Sequence, residues 1–313
     1  MDFKRLLSAG LAYFFDFVVY FRFGGGSSRE GNEGKFTRAR HGIEKAFSLP
    51  ELRGSFGAEK AALLMARTRV QLKKCGYDWQ VADSHEILER YVSHLNDNCS
   101  QVPPEIVAFL SELECVRKQL DTDFFRAGVQ LDAPNAALPF EDFSKFFNSR
   151  YSVRNFDGEL VPEGVVREIL QVASKTPSAC NRQAWEVKVF QGRAAKQALT
   201  FQNGNSGFGH TTTNVMLILG DIRAFVTRER HQVYVDAGMY SMSVILAMHA
   251  RGISSCPLNM CHSWMDRGRI YRGLGLRSYQ VPIMMIAFGT KAKSAKVIRA
   301  QRKSVTDIAT FIK

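Results

Sequence analysis

A short basic segment in the second half of the chain has the spacing of an anion-binding site. It reads RYSVR, with Arg150, Ser152 and Arg154 at alternate positions. Alternate side chains of an extended backbone point to one face, so these three residues would present two guanidinium groups and a hydroxyl together. Arginine binds phosphate oxygens in a forked geometry. The segment therefore predicts either a phosphate-binding strand or a solvated basic strand.

A second polar segment, TPSACNRQAW, covers residues 176–185 and leads from a predicted helix into a predicted strand. Such a loop offers backbone N–H groups together with Asn and Gln amides. These groups can hydrogen-bond the carbonyls and ring nitrogens of a flat heterocycle. An ordinary connecting loop would have the same composition, so the segment alone leaves both interpretations open.

Five segments in order resemble the nitroreductase family of FMN-dependent oxidoreductases. They are RYSVRNF, TPSACNRQAW, NGNSGFG, DAGMYSMSVILAMHARGISSCPLN and RAQRKSVTDI, beginning at residues 150, 176, 203, 236 and 299. The resemblance covers about half of the chain. More loosely, residues 41–57 and the helical segment after them resemble the N-terminal extension of members found with polysaccharide-biosynthesis proteins.

The resemblance implies a set of FMN contacts. Arg150 and Ser152 match the positions that bind the phosphate and ribityl chain, and Arg154 matches a cation near the pyrimidine edge, where it would stabilise the reduced ring. The loop beside the isoalloxazine matches Pro177, Ser178, Asn181 and Gln183, and an amide contact to the ring matches Asn203 or Asn205. The segment across the flavin face matches Cys256, Pro257, Leu258 and Asn259. A carboxy-terminal basic pair matches Arg299 and Arg302, with Lys303 as an alternative.

The activity that the resemblance implies is a ping-pong transfer of hydride from NAD(P)H to FMN and then to a small organic acceptor, such as a quinone or nitroaromatic. No catalytic side chain is expected, because the flavin carries the chemistry. The sequence shows no metal-ligand set and no G-x-G-x-x-G fingerprint. It departs from the family at Ala184, where proline is usual, and at Cys180, which is interpreted as a redox-active thiol or a small buried side chain.

Two other functions fit parts of the sequence. The N-terminal extension favours, as the alternative, a flavin-fold accessory or modifying protein in exopolysaccharide biosynthesis without general reductase activity. The basic second half suggests nucleic-acid binding. However, residues 291–303 lack the interleaved aromatic side chains typical of single-strand binders. We therefore expect a small-molecule acceptor and no nucleic acid as partner.

The elements that must position these residues change in character near residue 140. Residues 1–140 have helical periodicity, with helices predicted over 58–76 and 84–96, the latter capped by Ser84, and another from Pro104. Gly/Ser-rich residues 24–34 and the Pro-containing residues 128–139 are predicted connectors.

From residue 141 onward, strand-length apolar runs alternate with helices. The runs cover 185–190, 214–219 and 283–288, and the helices cover 162–175 and 232–251. We predict an α+β, nitroreductase-like fold over residues 141–313, with a central mixed or antiparallel sheet flanked by helices. A mostly helical extension, residues 1–140, precedes it.

Charge is distributed unevenly between the halves. The formal net charge is +12, yet residues 1–149 carry 19 Lys and Arg against 20 Asp and Glu, whereas residues 150–313 carry 23 against 10. A positive excess attracts anionic ligands, and FMN would account for about four of these cations. The 45% hydrophobic and 23% charged content excludes a disordered chain, and the mean hydropathy of −0.16 excludes a polytopic membrane protein.

Six cysteines are too few for a disulfide scaffold, so a cytoplasmic location with reduced thiols is expected. The apolar run 6–23 contains Asp16 and Arg22, which favours an amphipathic or buried helix and makes membrane association unexpected. The resemblance further implies a homodimer built on helix 232–251. Small side chains there permit close helix approach, although a helix buried within one chain would have the same composition.

Overall fold

The structure is a computed structural model of the 313-residue chain, and it describes residues 3–24, 32–49, 56–120 and 137–312. The chain forms two compact units. The first contains residues 1–137, 177–184 and 221–236, and the second contains residues 138–176, 185–220 and 237–313. The domain boundary predicted near residue 140 remains a prediction. Packing nevertheless assigns two later segments to the first unit.

The first unit, called the helical unit below, is built from long helices. They are α1 (Phe3–Phe23), α2 (Asn32–Glu44), α3 (Ala58–Cys75), α4 (Trp79–Asp97) and α5 (Pro104–Arg117). The helices predicted over 58–76 and from Pro104 are confirmed. The predicted connectors lie mostly outside the described residues, except that residues 32–34 form the first turn of α2 and residues 137–139 precede the next helix.

The start of α4 differs from the prediction. Asp78 is its N-cap, and one carboxylate oxygen accepts hydrogen bonds from the N–H groups of Gln80 and Val81 at 3.1 and 3.0 Å. Ser84 lies inside the helix, where its hydroxyl donates to the Gln80 carbonyl. The prediction that Ser84 caps the helix is therefore wrong, because Asp78 satisfies the free N–H groups more than a turn earlier.

The core of the helical unit is mainly apolar, and a buried arginine in it forms an ion pair between two helices. Leu64, Leu88 and Phe109 are fully buried. The Arg40 guanidinium, 1% exposed, lies 3.1 Å from the Asp83 carboxylate and joins α2 to α4. Burial lowers the pKa of Arg40 and raises that of Asp83, because each charged form loses water.

Helices α1 and α2 both pack on residues 222–224, one of the two later segments. A Cβ on Gly34 would collide with the backbone of Ala224, so glycine permits this close approach. The predicted helix over residues 6–23 is confirmed as part of α1. Tyr20 of α1 donates a hydrogen bond to the Arg230 carbonyl. Among the described residues, no helix has the length and apolarity that crossing a bilayer requires.

The second unit contains a four-stranded sheet in the order β1-β2-β4-β3. The strands are β1 (Trp185–Gln191), β2 (Asn214–Asp221), β3 (Ser254–Asn259) and β4 (Gln280–Gly289). Strand β1 pairs antiparallel with β2, and β3 pairs antiparallel with β4. The predicted α+β class is confirmed.

Helices cover both faces of this sheet. The helices of this part of the chain are α6 (Phe140–Ser149), α7 (Glu163–Ala173), α8 (Arg193–Leu199), α9 (Gln232–Ala250), α10 (Arg267–Gly273) and α11 (Val305–Ile308). Helices α7 and α9 pack on one face and α8 and α10 on the other, whereas α6 and α11 have no buried residue. Leu217 of β2 packs in a core with α8 and α10, whereas its neighbour Ile218 packs in a core with α7 and α9. Because both faces of β2 are buried, its sequence is continuously apolar instead of alternating.

Candidate functional site

The basic segment lies at the edge of the sheet beside β3. Ser152 forms a parallel bridge with Ser255, and the Val153 N–H donates to the Ser255 carbonyl at 3.0 Å. Val153 is buried at 4% exposure, whereas Arg150 and Ser152 are half-buried and Arg154 is exposed. The buried side chain of Val153 thus lies between the polar side chains of Ser152 and Arg154 in the sequence.

Strand β3 carries the next predicted group. The Cys256 side chain is completely buried, and burial raises the pKa of its thiol. The positive charges of Arg154 and Arg150 act on the same sulfur and partly oppose that rise. The structure therefore brings both arginines close to Cys256. The adjoining residues are half-buried Pro257, buried Leu258 and exposed Asn259 at the strand end.

The two candidate asparagines, Asn203 and Asn205, both lie in the loop after α8 but differ in their hydrogen bonds. The Asn205 amide donates to the carbonyls of Leu199 at 2.8 Å and Gln202 at 2.6 Å, so it closes the end of α8. Asn203 is exposed, and its amide lies 3.4 Å from the Cys261 carbonyl. Asn203 is therefore the candidate whose amide is less engaged within the chain.

Gln202 is a positioning residue that the sequence analysis missed. It is 6% exposed, and its amide donates to the Asn259 carbonyl at 3.0 Å, which ties the loop to the end of β3. Glutamine is usually exposed, so nothing in the sequence marked it. A cavity of about 390 Å³ adjoins this loop, with Asn203, His262 and Arg269 in its wall.

The predicted carboxy-terminal basic pair lies in the second unit, after residues 291–294, which contact Asn155 and Phe156. Arg299, Arg302 and the alternative Lys303 are all exposed, and the Arg302 guanidinium donates to the Ala300 carbonyl. Within residues 137–312, no hydrogen bond or ion pair joins them to the basic segment. The role of these cations in binding the phosphate stays a prediction.

The segment 177–184 belongs to the helical unit, where it packs on α2. Its backbone is unusual because Cys180, Asn181 and Gln183 have φ values of 52°, 51° and 49°. Residues other than glycine rarely have a positive φ. Such a strained backbone is kept only where the surrounding structure holds it in place. The Ser178 hydroxyl accepts a hydrogen bond from the Gln183 N–H at 2.9 Å. Pro177 is exposed.

Arg182 is the residue that holds this segment, and the sequence analysis missed it as well. Its buried guanidinium forms a two-pronged ion pair with Glu229, at 2.8 and 3.0 Å, and donates to the carbonyls of Ala179 and Ala224. It also lies over the Phe225 ring. Hydrogen bonding to Arg182 lowers the pKa of Glu229 to about 2.

One group of potential metal ligands occurs among the described residues, although the sequence predicts no metal site. His85, Glu89 and Glu114 have ligand atoms within 4.8 Å of one another. The Glu114 carboxylate already accepts a hydrogen bond from Arg117 at 2.8 Å, and the Tyr77 hydroxyl lies 2.8 Å from His85 Nδ1. Because a cation already neutralises Glu114, we interpret the group as structural.

Comparison with known proteins places the basic segment and the 177–184 segment in one matched region. Residues 148–202 match the family model described as Nitroreductase family. A protein of Thermus thermophilus named NADH dehydrogenase is 42% identical over 64 residues, which are 20% of this chain and 31% of that protein. The match thus spans less than two thirds of that relative.

Two further comparisons concern one mycobacterial protein. Nitroreductase NfnB of Mycolicibacterium smegmatis is 24% identical over 216 residues, covering 53% of this chain and 91% of that protein. The crystal structure described as the FMN-dependent nitroreductase NfnB from Mycobacterium smegmatis in complex with NADPH superposes with a TM-score of 0.47 at 21% identity. That superposition covers 56% of this chain and 99% of the other.

The Arg182–Glu229 pair yields a stability prediction. Because the pKa of Glu229 in the folded chain lies below its ordinary value of 4.5, the stabilisation is complete above that value and is lost as pH falls toward 2. We expect Glu229→Gln to lower the free energy of unfolding at pH 7 by about 1–3 kcal/mol, since the pair is only partly screened. Urea unfolding at pH 7, 4.5 and 3 measures it.

The difference between Glu229→Gln and the wild type should shrink as the pH is lowered. Glu163→Gln is the matched control, since its ion pair with Arg167 is exposed and contributes less than about 1 kcal/mol. A Glu229→Gln effect that does not change between pH 7 and pH 3 contradicts this role for the pair.

Proposed function

We infer, from the premise that this chain belongs to the nitroreductase family through its carboxy-terminal half, that it is an oxidoreductase which carries FMN and takes hydride from NAD(P)H. The observation that carries the inference is the junction of the basic segment with β3. There, two arginines and a serine lie beside the strand that continues to Asn259. The family match over residues 148–202 includes this segment.

The residues at this junction fit a bound phosphate. Neither Arg150 nor Arg154 forms an ion pair with any residue that the structure describes, so their charges are available to an anion. Two uncompensated guanidinium groups next to a half-buried hydroxyl form a suitable donor set for phosphate oxygens.

FMN, when bound, supplies the hydride-accepting ring. We propose that Arg150 and Ser152 hold its phosphate and ribityl chain, and that the Arg154 charge stabilises the negative charge of the reduced ring. Burial raises the pKa of the Cys256 thiol, which keeps it protonated and unreactive at neutral pH. The roles predicted for the 177–184 segment, for Asn203 and for Arg299 and Arg302 remain part of this proposal.

The acceptor that we propose is a small organic molecule, such as a quinone or nitroaromatic, reduced in a ping-pong cycle in the cytoplasm. The alternative, a flavin-fold accessory protein of exopolysaccharide biosynthesis, differs in one measurable respect. A chain that retains FMN but is not reduced by NADH or NADPH would favour the alternative. Rapid reduction followed by turnover with quinones would exclude it.

We further propose a homodimer through α9. Ala237, Ser241 and Met248 of this helix are buried within the chain, but Val235 is 51% exposed and Met239 is 38% exposed. The carboxy-terminal tail adds exposed apolar side chains at Ile308, Phe311 and Ile312. Exposed apolar surface of this kind is typical of an interaction site.

The dimer proposal predicts the effect of a charge on α9. The wild type should have about twice the 35.2 kDa mass of one chain, and Met239→Glu should shift it toward the monomer, because burying an unpaired carboxylate is costly. Light scattering coupled to size-exclusion chromatography measures the mass. Val172→Glu, at an exposed position of α7, is the control and should stay dimeric. A monomeric wild type contradicts the proposal.

The phosphate assignment predicts the effect of removing Arg150. A charge-assisted contact to a phosphate contributes about 1.5–3 kcal/mol, so Arg150→Ala should weaken FMN binding roughly tenfold to a hundredfold or more. Titration of FMN into flavin-stripped protein measures the dissociation constant. Arg167→Ala, which removes an exposed arginine from α7, should bind FMN like the wild type. Equal retention by all three proteins would show that Arg150 does not hold the phosphate.

A further inference from the structure

A cavity of about 490 Å³ lies wholly within the helical unit. Its basic lining residues come from α2, the residue just after it, and α3. They are Arg38, His41, Lys45, Lys60 and Arg67, and the remaining lining residues are Ala39, Gly42, Leu63 and Cys180. Within the described part of the chain, neither aspartate nor glutamate lines this cavity. Its volume falls in the range of small-molecule sites.

Among the described residues, three of the cations around the cavity form no ion pair, although the charge of one of them, Arg38, acts on Glu229. In the described parts of the chain, Arg38, Lys45 and Lys60 form no ion pair, and His41 is paired with Glu44 at 3.3 Å. Burial lowers the pKa of Arg67, because its charged form loses water. Cations collected around one cavity repel one another, so a bound anion would stabilise all of them.

Lys60 is exposed and lies at a helix end that weakly favours an anion. Lys60 is the third residue of α3, where the positive end of the helix dipole disfavours a cation. The N-cap, Gly57, provides no side-chain hydrogen bond. The Lys60 side chain lies against α2, with its ammonium 3.8 Å from the point that a Cβ on Gly42 would occupy. An anion in the cavity would offset this arrangement.

Cys180 connects the cavity to the segment predicted beside the flavin. It is half-buried in the cavity wall and has the strained φ of 52° described above. The same segment, residues 179–181, packs on α2. The cavity is therefore bounded on one side by residues that the sequence resemblance assigns to the isoalloxazine loop.

We propose that this cavity binds the phosphate group of an organic phosphate that takes part in the reaction. The proposal rests on the proposed function and deepens it, because it assigns the helical unit a part in recognising a substrate. Either the additional phosphate of NADPH or a phosphorylated acceptor supplies this chemistry.

Pyrophosphate, NADPH and NADH are the probes, and FMN-loaded full-length protein is used so that the flavin phosphate site is filled. Isothermal titration calorimetry compares the wild type, Lys45→Ala/Lys60→Ala, and the control Lys73→Ala/Lys74→Ala. The control removes two exposed cations of the last turn of α3. We expect pyrophosphate to bind the wild type. Its dissociation constant should be at least about tenfold higher for the cavity variant and within about twofold of the wild-type value for the control.

The nucleotides identify the source of the phosphate. A wild-type preference for NADPH over NADH that disappears in the cavity variant assigns the cavity to NADPH. Equal binding of the two nucleotides, with pyrophosphate binding still lost in the variant, assigns it to a phosphorylated acceptor. Equal pyrophosphate binding by both double variants, or none by the wild type, overturns the proposal.

The two proposals fail in different ways. Because pyrophosphate binding is measured without turnover, it tests the cavity even if NADH and NADPH do not reduce the protein. In the converse result, the protein retains FMN that NADH or NADPH reduces, while the cavity variant binds pyrophosphate like the wild type. That result overturns only the cavity proposal and leaves the proposed function in place. Thermal unfolding of both double variants checks that lost binding is not lost folding.

Discussion

A backbone hydrogen bond, from the Val153 N–H to the Ser255 carbonyl, joins the basic segment to the edge of the sheet. Burial of the Val153 side chain in the core fixes which face of the segment is turned inward. Since successive residues of an extended chain point to opposite faces, Arg150, Ser152 and Arg154 are placed together on the face opposite to Val153. In this arrangement the positive charges of both arginines act on the Cys256 thiol. The proposed phosphate site depends on the same arrangement.

The second constraint is the buried Arg182 guanidinium. It binds Glu229 and two carbonyls, and so it fixes a segment in which three residues have positive φ. This segment lies within the matched family region, yet it packs with the N-terminal helices. The helical unit therefore contains more than the N-terminal extension, because it also includes part of the sequence that resembles the nitroreductase family.

Much of the fold could be predicted because local patterns decided it. The 3.6-residue periodicity predicted α3 and α5, and the continuous apolar run predicted β2, which is buried on both faces. Pro104 marked the start of α5. The N-cap of α4 was missed because Ser84 also has a capping side chain, and only the structure shows that Asp78 caps the helix.

The site was less predictable, since its decisive contacts join distant residues. The partner of Arg182 is 47 positions away, and Gln202 binds a carbonyl 57 positions away. No motif or periodicity in the sequence predicts contacts between residues this far apart in the chain. The two asparagines were equivalent in the sequence, and the hydrogen bonds of Asn205 to the end of α8 distinguish them. The roles of Arg299 and Arg302 come from the resemblance alone and stay a prediction, since both side chains are exposed and form no hydrogen bond or ion pair with the basic segment in the described structure.

The most direct measurement on this chain is an absorption spectrum of the purified protein, followed by anaerobic titration with NADH and with NADPH. We expect flavin absorption bands, retained after gel filtration, that bleach stoichiometrically with at least one of the two nucleotides and return on addition of a quinone. A colourless protein that also fails to bind added FMN would contradict the assignment of this chain as a flavin oxidoreductase.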